Sequence, residues 1–174
     1  MNFIARFLDS LRSRNYRELA CTKEGSDGKM ERITEVAKYF LAKESMTHKK
    51  LQKMCYFAQA WYLANYGIPL FQNNFEAWVH GPVSPDLYYI YREWGWLPIS
   101  QPKEGGQLSD PKICEFLDLV YKTYGSYSAD QLENITHQES PWLNARRGYS
   151  AGEYCRNIIS TDEMRKYYGS RLGK

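Results

Sequence analysis

The stretch from Leu51 to Gly67 constrains the fold of this chain more than any other. Leu51, Met54, Cys55, Phe57, Ala58, Trp61 and Tyr62 occupy nearly every side of one helix, opened after Ser45 or Thr47 and stopped at Gly67 with Pro69 beyond. A helix that is apolar nearly all round cannot lie on a surface. It has to run through the middle of a domain, so the sequence predicts a mainly α fold, a single compact helical domain around a central buried helix. Lys53 is the anomaly in this run. Either it sits on the one exposed edge beside Lys49, or it is buried and paired, with Glu76 as its natural mate, because an unpaired buried ammonium is very costly.

The elements that would cover this helix are legible from their start and stop signals. Ile33, Val36, Ala37, Phe40 and Leu41 mark one face of a helix from about Glu31 to Lys43. From Phe75 to Gly81 the period changes to two, the alternation of a short strand, whose partner is expected near Leu70 and Phe71 or at Leu97 to Ser100. The sheet is therefore small, a β-hairpin or a few short strands. Ser84-Pro85 and Asp110-Pro111 each read as an N-cap with proline at the first helical position, opening helices that run to Gly95 and Gly125. Ser128 with Gln131 and Ser160 with Glu163 have capping-box spacing, and Ser140-Pro141 starts a short helix between them. Residues 101–109 read as a surface loop.

Residues 1–29 differ from the rest and form a separate N-terminal unit ahead of a domain spanning 30–174. Phe3, Ile4, Phe7, Leu8 and Leu11 fall at helical spacing opposite Arg6, Arg12, Arg14 and Arg17, which predicts a short amphipathic helix, and Gly25 to Lys29 reads as a linker. Arg6 and Asp9 interrupt any secretory apolar core, and no apolar run approaches the roughly 20 residues of a membrane helix. The formal charge of +3 is spread along the chain without a basic stripe, so nucleic acid is not an expected partner. Four separated cysteines without a CxxC pair suit a reduced, cytoplasmic protein. Fifteen Tyr, seven Phe and five Trp make the chain 16% aromatic, more than a helical core of this size needs, which favours a binding protein as well as a tyrosine-rich core.

Catalytic chemistry leaves no readable pattern. His48, His80 and His137 are scattered, and HExxH, paired CxxC and GxSxG are absent, so no metal or other cofactor and no catalytic residue is expected. His137 and Glu139, one residue apart, do not face each other on a helix, and His137 is expected to bond the turn into the Ser140-Pro141 helix.

Four ordered blocks, LQKMCYFAQAW from Leu51, PLF from Pro69, FEAWVHGPVSP from Phe75 and YGSYSADQLENITHQESPW from Tyr124, resemble the Panacea domain, also described as the SocA-like antitoxin or GepA-like phage-associated domain. The resemblance covers about Met30 to Tyr168. It implies a mainly helical antitoxin domain without established enzymatic activity that neutralises toxins by direct protein binding. The family's recurring residues fall on Lys53, Tyr56, Gln59, Trp61, Glu76, Ala77, Trp78, Gly81, Pro82, Val83, His137, Pro141 and Trp142, while Met54 and Cys55 stand where leucines are usual. The expected partner is a cognate toxin protein encoded nearby; an alternative is a phage or mobile-element protein that modulates a host protein without a toxin. Homo-oligomers are left open. The aromatic cluster Trp78, Tyr88, Tyr91, Trp94 and Trp96 is the expected anchor surface, with Arg146 and Arg147 as its polar rim.

Overall fold

A computed structural model describes residues 30–108 and 110–172, together with Asp9. The helix and linker expected over residues 1–29 lie outside the described residues apart from that one position. Seven α-helices are described: α1 (Ile33–Lys43), α2 (His48–Tyr66), α3 (Pro85–Tyr91), α4 (Pro111–Tyr124), α5 (Ala129–Thr136), α6 (Ser140–Ala145) and α7 (Thr161–Arg171). A 3-10 turn, Arg92–Trp94, follows α3. Two antiparallel two-stranded sheets complete the domain: β1 (Met46–Thr47) with β4 (Pro98–Ile99), and the hairpin of β2 (Glu76–Trp78) and β3 (Gly81–Val83). The chain is mainly α, as its periodicity predicts.

The central helix is α2. The Thr47 side chain accepts from the Lys50 N–H at one end, and Gly67 closes the other in the left-handed conformation. Fifteen of its nineteen residues are buried, with α1, α4, α5 and the hairpin packed around it and α7 making the most extensive contact. Aromatic rings form much of this contact. Phe57 stacks on Tyr124 at 4.0 Å, Trp61 meets Tyr168 edge-on at 4.8 Å, and the Trp61 indole N–H donates to the Tyr124 hydroxyl at 2.8 Å. The aromatic excess is thus largely spent in the core, where each ring buries roughly 150–250 Å².

Two glutamines on α2 serve as backbone partners for loops that have none. The Gln59 amide donates to the Phe71 carbonyl at 2.8 Å while its oxygen accepts from the Leu70 and Phe71 N–H groups. Gln52 does the same for Ser84, accepting from its N–H at 2.8 Å and donating to its carbonyl at 3.1 Å. Buried loop backbone must be satisfied somewhere, and these side chains act as a one-residue strand.

The strand pairing differs from expectation. The strand at Glu76 pairs with Gly81–Val83 immediately after it, in the register Glu76 to Val83 and Trp78 to Gly81, and neither the Leu70-Phe71 stretch nor Leu97 to Ser100 is its partner. Val79 and His80 make the tight turn between the two strands, and Gly81 takes the positive φ of 91° there. Leu97 to Ser100 instead supplies β4, which pairs with β1. The Ser128–Gln131 capping box forms completely. At Ser160 only the hydroxyl side of the box is made, because Glu163 accepts from Asn144 instead.

Candidate partner-binding surface and the polar core beneath it

Lys53 lies on the hairpin side of α2 and is 1% exposed, so it is not on an exposed edge. Nor is it paired with Glu76. Its ammonium donates to the Pro82 carbonyl at 3.2 Å, and the carboxylate that favours its charge is Glu133 on α5. Glu76 is engaged elsewhere, accepting from the Trp78 indole at 2.6 Å and from Arg156 at 3.0 Å. Strand alternation explains the discrepancy. Glu76 and Trp78 point to the outer face of the hairpin while Ala77 is buried, so Glu76 cannot reach the α2 side.

Glu133 gathers the charges around Lys53. Lys49 approaches it at 2.5 Å, His80 from the hairpin turn at 3.3 Å and His137 from the end of α5 at 4.0 Å, and Lys49 also binds Asp130 at 2.6 Å. The hydrogen bonds from Lys49 and His80 hold the Glu133 carboxyl below the usual range against its burial. The His137 ring does not bond the turn that follows. It stacks on Trp142 at 4.0 Å and 17°, and the Trp142 indole donates to the Trp78 carbonyl at 3.1 Å. Among the described residues no cluster of His, Cys, Asp and Glu is arranged to hold a metal ion.

Burial pushes the Lys53 ammonium down to about 7 and the Glu139 carboxyl, which accepts from the Tyr168 hydroxyl, up to about 7. The two act on stability in adjacent pH windows. Glu139 is raised, so its contribution is complete below about 4.5 and is lost as pH climbs through 7; Lys53 is depressed, so its cost is complete below 7 and disappears as pH climbs towards 10.5. Thermal unfolding across pH is therefore expected to show a stability trough near neutrality. Glu139→Gln should flatten its acid side and Lys53→Met its alkaline side, and unchanged profiles in both variants would contradict the assignment.

Above this core the surface is aromatic. Trp78 packs edge-on against Tyr88 at 4.9 Å and lies beside Tyr154 at 6.4 Å, and Tyr88 meets Tyr89 at 5.8 Å. Beyond the end of α3, Trp94 in the 3-10 turn is at the edge of exposure and Trp96, in the turn after it, is 75% exposed. Tyr91 departs from the expected anchor set, since it is half-buried and packed against the core. Arg146 is a larger departure. It is buried, and its guanidinium donates to the carbonyls of Ala77 at 2.7 Å, Ser150 at 3.0 Å and Glu153 at 2.6 Å, so it organises the interior rather than the rim. Arg147 is exposed.

Residues 51–143 match the family described as Antitoxin SocA-like, Panacea domain. This chain belongs to that family. It is also 32% identical over 110 residues to Antitoxin SocA of Caulobacter vibrioides (strain NA1000 / CB15N), an alignment covering 53% of this chain and 55% of that protein. The chain thus spans about half the length of the curated relative it matches, and no solved structure matches it.

Most of the Panacea motif is scaffold. Lys53, Tyr56, Gln59, Trp61, Gly81's neighbour Pro82, Pro141 and Trp142 are buried, and each is held among α2, the hairpin and α6, where a partner could touch it only by unfolding the domain. The surface of this Panacea domain is made by other residues. Of the residues singled out from the sequence, Trp94 and Trp96 are exposed and Trp78 and Tyr88 half-buried, while Tyr89, Ile90, Leu97, Tyr154 and Ile158 are exposed apolar side chains that the sequence did not single out. The i to i+4 spacing of Ile90 and Trp94 carried a signal for one of them. Tyr154 and Ile158 carried none, since they follow the last motif block and reach the surface beside Trp78 only through the fold.

Proposed function

We propose that the protein is the antitoxin of a toxin-antitoxin pair and neutralises a cognate protein toxin by covering its surface. Membership of the antitoxin family supports the class of partner, and the exposed aromatic surface on and after α3 is the observation that carries the mode of action. A well-folded monomer has little reason to leave tryptophan three-quarters in water, whereas Trp and Tyr at the centre of an interface supply much of its binding energy. Trp78, Tyr88, Trp94 and Trp96 are the anchors, with Arg147 at the rim; Tyr91 supports them from the core side. Inhibition is steric, since a standard interface of about 1,200–2,000 Å² is enough to occlude an active site.

Co-expression with the adjacent reading frame tests this directly, because the chain should restore growth and co-purify with the toxin. Trp96→Ala should leave the unfolding temperature unchanged and weaken toxin binding by roughly 10- to 30-fold, the usual loss for an interface aromatic. Rescue by the variant at wild-type toxin affinity would remove Trp96 from the interface.

A further inference from the structure

Between α3 and α4 the chain runs from Arg92 to Asp110 with little regular structure, and among the described residues of this connection only Ile99 is buried. Connections of this kind are uncommon in compact domains and tend to be functional, and a segment with so few buried contacts opens more easily than the core. Its first part is a tip. The Gly95 N–H donates to the Arg92 carbonyl at 3.0 Å and the Leu97 N–H to the Trp94 carbonyl at 2.9 Å, which turns Trp94, Trp96 and Leu97 outward. Its second part, Ser100 to Leu108, is a strap laid along α1.

The strap is fastened at points that run back along α1. The Ser45 hydroxyl donates to the Ile99 carbonyl at 2.7 Å, the Gln101 amide donates to the Ala42 carbonyl at 3.0 Å, and Glu35 Oε2 accepts from the Gln107 N–H at 2.8 Å. Next to this last bond the backbones nearly touch. A Cβ on Gly106 would stand 1.8 Å from the Glu35 carbonyl oxygen and 2.9 Å from the Tyr39 nitrogen, helix backbone atoms that cannot give way. Gly106 does not have positive φ, so it is this approach that requires glycine. Glu35 is buried and also receives Arg32 and Lys38, each at 3.2 Å, yet the Gln107 N–H is the largest influence holding its carboxyl below the usual range. A bond to a carboxylate is about twice as strong as one between neutral groups, whereas the Gln101 bond is neutral and exposed. The β1–β4 pair has two residues a side, too few to persist unaided. The far root of the tip therefore depends on the Glu35 bond.

We infer that the stretch from Arg92 to Leu108 is an arm that opens from an otherwise folded domain, and that Glu35 is the positioning residue whose clasp on Gln107 keeps the tip of Trp94, Trp96 and Leu97 in its binding position. For the use of the tip this rests on the antitoxin reading above, to which it adds the device that holds the anchors ready. An arm in place for only a fraction of the time lowers the apparent affinity by that fraction.

The test uses the full chain, and solvent exchange of the Gln107 amide reads the clasp without a partner. In the wild type this amide should exchange faster than the amides of α2, because the arm opens without global unfolding. Gly106→Ala and Glu35→Ala strike the same contact from its two sides, and each should speed the exchange roughly 10-fold or more with an unfolding temperature close to wild type. Glu35→Gln keeps an acceptor for the Gln107 N–H and should fall between. With the protein encoded by the adjacent reading frame as probe, affinity should drop in the same order, to about a tenth of wild type for Gly106→Ala. A Gln107 amide that exchanges only as slowly as α2 would overturn the arm, and wild-type affinity in variants whose clasp is open would overturn its hold on the tip. A wild-type chain that neither binds the probe nor restores growth would overturn the antitoxin reading, while the Gln107 exchange still decides the clasp by itself.

Discussion

Gly81→Val is expected to unfold the domain at physiological temperature, and Gly81→Ala to cost about 3 kcal/mol or more. Two independent effects converge on this position. The backbone there has φ of 91°, a region in which an L side chain is strained by about 1–3 kcal/mol. A Cβ would also stand 2.6 Å from Lys53 Cε and 2.9 Å from Thr136 Oγ1, well inside contact distance. A lysine tip on the surface would swing away, but Lys53 is enclosed and has no room to do so. The hairpin turn therefore has to shift, and with it the Pro82 carbonyl that holds the Lys53 ammonium. The two effects separate in a double-mutant cycle. Lys53→Ala should remove the closer collision and leave the strain and the Thr136 contact, so Gly81→Ala should cost about 1–2 kcal/mol less in that background. Urea unfolding measures both numbers. A Gly81→Ala protein within about 1 kcal/mol of wild type would show that the close approach of α2 to the hairpin is not a constraint on the fold.

How much of this was legible in the sequence depended on whether the signal was local. The all-round apolar character of α2, the Thr47 and Gly67 caps, the Ser-Pro and Asp-Pro openings and the Ser128–Gln131 box are properties of neighbouring residues, and the structure places all of them where the sequence does. Lys53 is different, since its position on α2 is local but the carbonyl that accepts from it comes from β3, 29 residues later. The pairing partner of β2 was missed for a related reason. Pro82 and Gly81 look like breakers in a sequence, whereas in the fold Gly81 supplies the left-handed turn residue and Pro82 sits in a strand that needs no further ladder donor. The candidate surface divides the same way. Trp94 and Trp96 stand out as residue types, but Tyr154 and Ile158 come beside the hairpin only when Asn157 and Ile159 pair with the strand of Ala77.

Arg146→Ala is the second change with a large expected effect, because this side chain ties the hairpin to the loop after α6. Its guanidinium is buried and donates to carbonyls of the hairpin and of the loop after α6, while its plane lies over the Trp142 ring at 5.1 Å. Removing it leaves the Ala77, Ser150 and Glu153 carbonyls without their donor and opens a hole beside Trp142, so a loss of about 3–5 kcal/mol is expected. Arg146→Lys should recover only part of this, because one ammonium cannot reach carbonyls that diverge around a planar fork. The damage should also be uneven. Amides from Ser150 to Ile158 are expected to exchange with solvent far faster in the Arg146→Lys protein, while exchange in α2 speeds up only in proportion to the loss of global stability. Hydrogen exchange that rises equally across α2 and the loop would mean that Arg146 supports the domain as a whole and has no special hold on the loop carrying Tyr154.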